Sequence, residues 1–405
     1  MRRQYLSLLL ALVALAVPTA LSAGSDGQRT PLQRSLARAL RVPHVAPARS
    51  AGIALDLATG SVVFVQNGHR SLAPASNAKL PLTYAALVKL GATYRIDTDV
   101  FGEGAQEGAT WNGALVLKGN GDPTLSRADL RALALQVRSA GIRRVTGGVI
   151  GDESSYDPRR MVAGWKASFF IQESPPLSAL IVDRGKVGRF TTSTPALAAA
   201  RAFRTALRKA GIVVTGTVRI GQSDNSLDPL ASVSSPTLAT MLRFMDKESD
   251  NFTAEMLLKQ LGFAALDRGT SAAGASVVTE ALTEAGVPMT GVRIVDGSGL
   301  SRLDRLTADA LASLLNVSWT DPTVHPLLLA SLPVAGVSGT LARRLGKALT
   351  RGRVVAKTGT TDIASALSGY VGDRFAFAVL QNGNPLAYWW ARRAQDRFVQ
   401  VLAAQ

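Results

Sequence analysis

The segment Pro74-Ala75-Ser76-Asn77-Ala78-Lys79-Leu80 places a serine and a lysine three positions apart at the start of an apolar run, and this run predicts a helix from about Ser76 to Lys89. Residues three apart share one face of a helix, so the Lys79 amine can reach the Ser76 hydroxyl. A lysine whose pKa is lowered by desolvation or a second cation can activate a serine without histidine. N–H groups at the helix N-terminus could stabilise an oxyanion. Alone, Ser-x-x-Lys is equally an ordinary surface pattern.

A second motif, Ser249-Asp250-Asn251, lies between a predicted helix that ends near Lys247 and another that begins near Phe252. Its serine could relay a proton, and its asparagine could hold a substrate amide and the lysine. The same three letters occur at Ser223-Asp224-Asn225, in a turn that follows a strand. We favour Ser249, because a helix junction holds a side chain more rigidly than a turn does.

The third motif is Lys357-Thr358-Gly359, which follows the strand-like run Arg353–Ala356 and precedes Thr360. A lysine and a threonine on a strand edge offer a cation and a hydroxyl to a substrate carboxylate. Gly359 would let a substrate backbone approach the strand closely. A strand that simply exits into a turn is the alternative interpretation.

Composition limits the chemistry that this chain can perform. Its 405 residues are 47% hydrophobic and 18% charged, enough to bury one or two large cores. The absence of cysteine excludes disulfides, thiol nucleophiles and cysteine-ligated zinc. The three histidines, His44, His69 and His325, are not at metal-ligand spacing, so we expect no histidine metal site and no cofactor. A Ser-His-Asp triad is disfavoured because it depends on one well-held imidazole, whereas His44 lies in a Pro-rich linker, His69 lies in a turn, and His325 lies between Val324 and Pro326.

The formal net charge of +16 raises the question of a polyanionic partner. Nucleic acid is not expected, because the basic residues are spread through predicted helices without the interleaved aromatic residues that stack bases. Two interpretations remain open: a solvated basic surface, or loose attraction to anionic polymers or lipid of the cell envelope.

The N-terminus has the layout of a cleavable signal peptide over residues 1–23. Arg2 and Arg3 precede the apolar run Leu6–Val17, which is followed by small residues up to Ala23. That run is shorter than the roughly 20 residues needed to span a bilayer. We therefore expect export, to the periplasm or the outer face of the cell envelope. Residues 24–50 read as a connector with one helix, Leu32–Arg41.

Hydrophobic periodicity divides the rest of the chain into two parts. Residues 51–93 and 229–405 predict a hairpin, a helical block, three strands and a closing helix, Trp389–Leu402. Residues 94–228 alternate short strands with helices and predict an inserted α/β domain. The fold class is thus α/β (α+β), a helical block on an antiparallel sheet with an insertion. The predicted strands are Ala51–Leu57, Ser61–Gln66, Gly113–Leu117, Val145–Ile150, Ile212–Ile220, Arg353–Lys357, Ala364–Val371 and Phe375–Gln381, and the other predicted helices are Arg127–Ser139, Pro195–Lys209, several within Pro236–Ala285, and Thr307–Leu315.

In this order, the three motifs resemble the set shared by penicillin-binding proteins and class A β-lactamases. Ser76 and Ser249 are 173 positions apart, which implies a domain-sized insertion between them. This layout is similar to the D-alanyl-D-alanine carboxypeptidase/endopeptidase family, the low-molecular-mass class C penicillin-binding proteins. Gly119–Leu125 and Asp296–Arg302 resemble further signatures of that family. Two departures are Asp304, where the family pattern has asparagine, and an insertion too short for the two extra lobes of some members.

The resemblance implies a β-lactamase/transpeptidase-like catalytic domain that works through an acyl-enzyme. Ser76 would attack the D-Ala-D-Ala carbonyl while Lys79 takes its proton. Ser249, linked to Lys357, would pass a proton to the leaving D-Ala nitrogen. The N–H groups of Ser76 and Thr360 would form the oxyanion hole.

The same resemblance implies how substrates and inhibitors bind. Asn251 would hold the acyl-side amide, and Lys357 and Thr358 the terminal carboxylate. The expected partners are peptidoglycan stem peptides, their D,D-crosslinks, and β-lactams as covalent inhibitors, with no metal or cofactor. Two alternatives stay open: a β-lactamase or esterase of the same fold, and a non-catalytic cell-wall-binding protein.

Overall fold

The computed structural model describes residues 29–222 and 229–405 of the chain. The predicted signal peptide, residues 1–23, and the alternative motif Ser223-Asp224-Asn225 lie outside the described residues. Within the described ranges, no helix has both the length and the apolar character that crossing a bilayer requires.

The described part of the chain contains fourteen strands and eleven α-helices, besides short 3₁₀ turns. The strands are β1 (Ser50–Asp56), β2 (Val62–Gln66), β3 (Asp97–Glu107), β4 (Thr110–Gly119), β5 (Arg144–Val145), β6 (Val149–Asp152), β7 (Lys186–Val187), β8 (Phe190–Thr191), β9 (Val213–Val214), β10 (Val218–Ile220), β11 (Ala231–Ser234), β12 (Val354–Thr360), β13 (Ala364–Val371) and β14 (Phe375–Asn382). The helices are α1 (Pro31–Leu40), α2 (Lys79–Leu90), α3 (Arg127–Ser139), α4 (Phe169–Gln172), α5 (Pro195–Lys209), α6 (Leu238–Glu248), α7 (Asn251–Leu266), α8 (Ser271–Glu284), α9 (Ala308–Thr320), α10 (His325–Ser331) and α11 (Tyr388–Ala403).

The first sheet is antiparallel, with the strand order β12-β13-β14-β1-β2. Successive side chains of a strand point to opposite faces, and both faces of this sheet are covered. From β14, Ala378 and Leu380 pack into the core formed with the helical block, whereas Phe377 and Val379 pack against α1 and α11. This is why β13 and β14 are continuous apolar runs rather than alternating ones.

The helical block consists of α2 and α6 to α10, and its core is continuous with one face of the first sheet. Side-chain caps fix where several of these helices begin. Asp250 caps α7 by accepting a hydrogen bond from the Thr253 N–H at 2.8 Å, and Thr307 caps α9 in the same way. The start of α7 therefore falls inside the second motif.

Residues 97–234 build a second, mixed sheet with the main order β10-β6-β4-β3-β11. The β3–β4 hairpin is antiparallel, and β4, β6 and β10 are parallel to one another. Helices α3 and α5 cover one face through residues such as Leu133 and Phe203. The domain boundaries at residues 94 and 228 stay a prediction; strand β11, which pairs with β3, lies beyond the second of them.

Most predicted elements are confirmed, and the differences have physical causes. Ser76 does not begin an α-helix: it lies in a 3₁₀ turn, Ala75–Ala78, and α2 follows from Lys79. The predicted strands Val145–Ile150 and Ile212–Ile220 are each two short strands. They are interrupted at Gly147–Gly148 and at Gly216, where the backbones pack too closely for a side chain. Helix α10 was not predicted, because its short apolar segment gives no periodic signal.

Candidate active site

The nucleophile segment is a tight turn between two close backbone contacts. Ala75 has φ 48°, a left-handed conformation that is uncommon for a residue other than glycine. A Cβ at Gly299 would lie 1.8 Å from the Ala75 carbonyl oxygen, and one at Gly359 would lie 2.9 Å from the Ser76 nitrogen. Both glycines are therefore required by the turn that presents the half-buried Ser76 side chain.

Lys79 is fully buried, and its ammonium has three oxygen partners. Its Nζ lies 3.2 Å from the Ser76 Oγ, and it donates to the Asn251 Oδ1 at 2.9 Å and to the Ser298 carbonyl oxygen at 2.8 Å. Burial lowers the pKa of Lys79 to about 8, although nearby carboxylates, Asp296 first, oppose the shift. A neutral Lys79 amine can accept a proton from Ser76, as a general base must.

Ser249 and Lys357 form a second serine–lysine pair. Ser249 ends α6 in a left-handed conformation, φ 57°, and its Oγ accepts a hydrogen bond from the Lys357 Nζ at 2.8 Å. Lys357 is fully buried; burial first, and then the positive charge of Lys79, lower its pKa to about 7. An incoming carboxylate would favour the charged form of Lys357, because opposite charges raise a lysine pKa.

Asn251 and Asn77 connect these pairs to the surrounding backbone. The Asn251 side chain accepts from Lys79 and donates from Nδ2 to the Glu173 carbonyl oxygen at 3.2 Å. Asn77, inside the first motif, donates from Nδ2 to the Lys357 carbonyl oxygen at 3.0 Å. The nucleophile turn is thereby attached directly to β12.

The third motif occupies the end of the edge strand β12. The Thr358 Oγ1 lies 2.7 Å from the Thr340 Oγ1, and Thr360 is exposed. Gly359 faces the nucleophile turn, so the space that we expected a substrate backbone to need is occupied by Pro74–Ser76. The Ala356 N–H points away from β13 to the Pro333 carbonyl oxygen. By the alternation of an antiparallel strand, the Thr360 N–H also points away from β13.

Buried carboxyl groups behind Lys79 were not found by sequence reasoning. Glu255 accepts from the Gly297 and Ser298 N–H groups at 3.1 and 2.8 Å and so supports the carbonyl that holds Lys79. Burial, and then the charge of Asp296, raise the pKa of Glu255 to about 8. Glu255 is four residues after Asn251 on α7, so helical spacing was the one available signal.

Asp304, the departure from the family pattern, is one of these buried carboxyl residues. Its Oδ1 accepts from the Val295 N–H at 2.7 Å and the Asp296 N–H at 3.3 Å. Burial first, and then Asp296, raise the pKa of Asp304 well above its usual range. A protonated Asp304 has one acceptor oxygen and one O–H group that is able to donate, the same combination that an asparagine amide offers.

Asp246 is a further buried carboxyl group, three residues before Ser249 on α6. It accepts from the Thr83 Oγ1 at 2.8 Å and the Ser331 Oγ at 3.0 Å, which connects α6 to α2 and α10. Burial raises the pKa of Asp246 to about 6, against the attraction of Lys357.

The second-sheet region contributes an arginine to the site. Arg184 forms a two-pronged ion pair with Asp250, Nη1 to Oδ2 at 2.7 Å and Nη2 to Oδ1 at 3.1 Å. Its guanidinium also lies over the Phe244 and Phe252 rings, at 5.4 and 5.3 Å from their centroids. Arg184 therefore holds the middle residue of the second motif from outside the helical block.

In the part of the chain that the structure describes, the histidines do not lie beside the Ser76 hydroxyl and do not form a metal site. His69 is 88% exposed and pairs with Asp309, whereas His325 packs on Trp319 with ring centroids 4.1 Å apart. No group of described histidine and carboxylate side chains could hold a metal ion.

These contacts bring the three motifs together around one serine hydroxyl. A serine beside a buried lysine, with a second serine–lysine pair next to it at the edge of an antiparallel sheet, defines a serine hydrolase of the penicillin-binding class. The chain belongs to the D-Ala-D-Ala carboxypeptidase 3 (S13) family, whose model matches residues 32–193 and 186–405. The resemblance to the class C penicillin-binding proteins is confirmed. The predicted residues that lie together here are Ser76, Lys79, Ser249, Asn251, Lys357, Thr358, Gly359 and Thr360.

Individual relatives agree with this assignment. The D-alanyl-D-alanine carboxypeptidase of Actinomadura sp. strain R39 is 32% identical over an alignment of 464 positions, which covers 93% of this chain and 85% of that protein. The crystal structure of penicillin binding protein 4 (dacB) from Haemophilus influenzae matches with a TM-score of 0.80 at 22% identity, covering 92% of this chain and 98% of that one. The same protein complexed with a β-lactam matches with a TM-score of 0.75 at 21% identity, with the same coverage of both chains. These structures agree with the predicted β-lactamase/transpeptidase-like fold.

Proposed function

We propose that this protein is a serine D,D-carboxypeptidase that also cleaves D,D-crosslinks of peptidoglycan. The observation that carries the proposal is the position of the Lys79 Nζ, 3.2 Å from the Ser76 Oγ and 2.9 Å from the Asn251 Oδ1. Family membership, and the name of the carboxypeptidase relative, support the substrate class.

In acylation, the Ser76 Oγ attacks the carbonyl between the two D-alanines as its proton passes to Lys79. The oxyanion that forms is held by the Ser76 and Thr360 N–H groups. Collapse breaks the C–N bond, and Ser249 passes its proton to the leaving nitrogen and is reprotonated by Lys357, its hydrogen-bond donor. Water then attacks the acyl ester and gives up a proton that restores Lys357, while Lys79 returns its proton to the Ser76 oxygen as the ester bond breaks.

Binding of the substrate uses the remaining predicted residues. Lys357 and Thr358 hold the terminal carboxylate, and Asn251 exchanges its contact with Glu173 for the acyl-side amide. A crosslink contains the same D,D-bond with a longer leaving group, so endopeptidase activity needs no further chemistry. A β-lactam presents a strained amide to the same hydroxyl and acylates Ser76.

Labelling with fluorescent penicillin tests the nucleophile. We expect covalent labelling of the wild type and none of Ser76→Ala, because no other side chain would carry the acyl group. Ser249→Ala should slow turnover, and Ser223→Ala, its matched control, should not. Labelling that persists in Ser76→Ala, or the reverse result for the two serines, would contradict the assignment.

Muropeptide digestion separates the two activities and the alternatives. Mass spectrometry should show the loss of one alanine from pentapeptide ends and the cleavage of D,D-linked dimers into monomers. Rapid release of the penicilloyl group would instead indicate a β-lactamase. Intact muropeptides together with no acylation would indicate a non-catalytic wall-binding protein.

We further propose that the protein is exported after removal of residues 1–23, to the periplasm or the outer face of the envelope. The supporting observation is the pattern of Arg2 and Arg3 followed by the apolar run Leu6–Val17. The measured mass of the mature protein should correspond to a chain that begins at Gly24; a full-length mass in the exported fraction would refute cleavage. We also propose that the net charge of +16 favours weak association with anionic envelope polymers or lipid.

A further inference from the structure

A cleft of about 540 Å³ lies between α3 and α5, beside the small β7–β8 hairpin. On the α5 side of the cleft, the small side chains of Ala198, Ala202 and Thr205 alternate with the long side chains of Arg201 and Lys209. This cleft belongs to the second-sheet region, and none of its lining residues is part of the three motifs.

The charged side chains that line the cleft are all positive. Arg131, Arg201 and Lys209 line it, are exposed, and form no ion pair with any described carboxylate. Arg127 also lines the cleft, but its guanidinium already donates to the Asp183 carboxylate at 2.6 Å and to the Lys186 carbonyl oxygen at 3.0 Å. No aspartate or glutamate is among the lining residues, so the cleft complements an anion.

The hairpin places apolar side chains at the mouth of this basic region. Phe190 is 72% exposed and Val187 is 50% exposed, the former being the most exposed large hydrophobic side chain among the described residues. Lys186 directly precedes Val187, and Arg189 directly precedes Phe190; both cations are also exposed. Arg189 lies 5.8 Å from the centroid of the Phe190 ring.

We propose that this surface, the basic cleft (Arg131, Arg201, Lys209, Val187 and Phe190), docks on a bilayer that contains anionic phospholipid. The cations lie where lipid phosphates would be, and Phe190 and Val187 enter the boundary between headgroups and acyl chains. A hairpin that carries both basic and apolar side chains matches both layers of that boundary.

A soluble polyanion fits these observations less well. It would neutralise Arg131, Arg201 and Lys209 but would leave Phe190 and Val187 exposed to water. Removing those two apolar side chains from water favours binding, and a lipid surface, unlike a soluble polyanion, offers that environment. The proposal is independent of the hydrolase activity, since the basic cleft makes no contact with Ser76 or Lys79.

Vesicle sedimentation with the mature protein tests this surface. We expect binding to vesicles of about 30% phosphatidylglycerol in phosphatidylcholine and little binding to phosphatidylcholine alone. The triple variant R131Q/R201Q/K209Q should bind about a hundredfold more weakly, since each cation near an anionic surface contributes about fivefold. V187S/F190S should lose at least about tenfold with every charge retained.

The matched control is R243Q/R343Q/K347Q, which removes three exposed cations outside the cleft. It should bind vesicles nearly as the wild type does, and penicillin labelling should be unchanged in all three variants. Equal losses of vesicle binding in both triple variants would show that binding depends only on the overall charge, and this result would overturn the proposal. Absence of vesicle binding would overturn it, as would unchanged binding of V187S/F190S. Binding to inorganic polyphosphate without vesicle binding would identify a polyanion site instead.

Discussion

Two buried lysines beside two serines determine the protonation chemistry of this site. With a pKa of about 8, about a tenth of Lys79 is neutral at pH 7, whereas a lysine of ordinary pKa would be neutral in well under a thousandth of the molecules. The fully buried position of Lys79 supplies the neutral amine that the proposed base role requires, because burial penalises the charged form.

We predict that the rate of penicillin acylation rises with pH up to about 8 and then levels off, because the neutral form of Lys79 is the active one. Lys79→Arg should slow acylation by about 10² to 10⁴, since a guanidinium stays charged. Quenched time courses of penicillin acylation across pH 6–9 measure both effects. A rate that falls across that range, or near-normal acylation by the arginine variant, would remove Lys79 from the base role.

Asp304 shows how a carboxyl group can replace an asparagine. Its raised pKa means that the folded state binds the Asp304 proton more tightly than the unfolded state does. The stability that this group contributes is present below the unfolded pKa, about 4, and is lost as pH rises.

Asp304→Asn should therefore change the free energy of unfolding by less than about 1 kcal/mol at pH 5 and should stabilise the protein relative to wild type at pH 8. Asp304→Leu should cost about 2 kcal/mol at pH 5, because the Val295 and Asp296 N–H groups lose their acceptor, and less at pH 8, where the wild type has itself lost stability. Urea denaturation at the two pH values provides the comparison. A stability difference between wild type and the asparagine variant that does not depend on pH would mean that Asp304 is ionised when folded.

At the scale of elements, Arg184 connects the turn before β7 to the start of α7. Arg184 has φ 55°, and the preceding Asp183 has φ 49°, so the ion pair with Asp250 is supported by a constrained backbone. The arrangement fixes the orientation of the Ser249-Asp250-Asn251 turn from a segment 66 positions earlier in the chain.

We predict that Arg184→Gln slows acylation by about tenfold, because Ser249 and Asn251 lose a positioning contact. Asp250→Asn should have a similar effect, and the double variant should be no slower than either single one. Arg127→Gln is the control: its partner Asp183 lies in the same segment, but Arg127 is 51% exposed and its ion pair should contribute little. Additive losses for Arg184 and Asp250 would show that the two side chains act separately.

Local signals explain which elements the sequence predicted. Helix α3 begins after Ser126, which forms a capping box with Asp129, and α5 begins with Pro195; both helices have the predicted bounds. The strand β11, Ala-Ser-Val-Ser, is too short and polar to be distinguished from a loop. The Arg184–Asp250 pair and the group of buried carboxyls depend on tertiary contacts, which no local pattern contains. Motif order was sufficient to select the residues that the structure brings together, Ser76, Lys79, Ser249 and Lys357, because the chemistry proposed for them restricts the residue types.

At the scale of the whole molecule, polar contacts join the second-sheet region to the helical block. Lys259 on α7 is 1% exposed and pairs with Asp157. Next to it, the Tyr156 hydroxyl donates to the Gln260 Oε1 at 2.7 Å. Burying a charge is costly unless it is paired, so this junction is sensitive to the loss of one partner.

We predict that Asp157→Ala lowers the free energy of unfolding by about 3 kcal/mol, because Lys259 is left buried without its carboxylate. Adding Lys259→Met should restore most of that loss, since a side chain of similar volume needs no partner. Denaturation followed by circular dichroism and by penicillin labelling should give coincident transitions in all variants. Failure of the methionine to rescue would mean that the contribution of Asp157 is not electrostatic.

The position of β12 at the sheet edge has a consequence for the shape of molecules that can occupy the groove. Residues 333–335 bond to the first half of β12 on the side away from β13, and on that side Lys357–Thr360 have no neighbouring strand among the described residues. An unpaired edge is a template for an extended chain, so a linear peptide could add itself there as a sixth strand. Ligands prepared in a stretched form would lose less conformational freedom on binding than flexible ones, and rigid extended mimics should gain affinity for this groove even without a reactive ring.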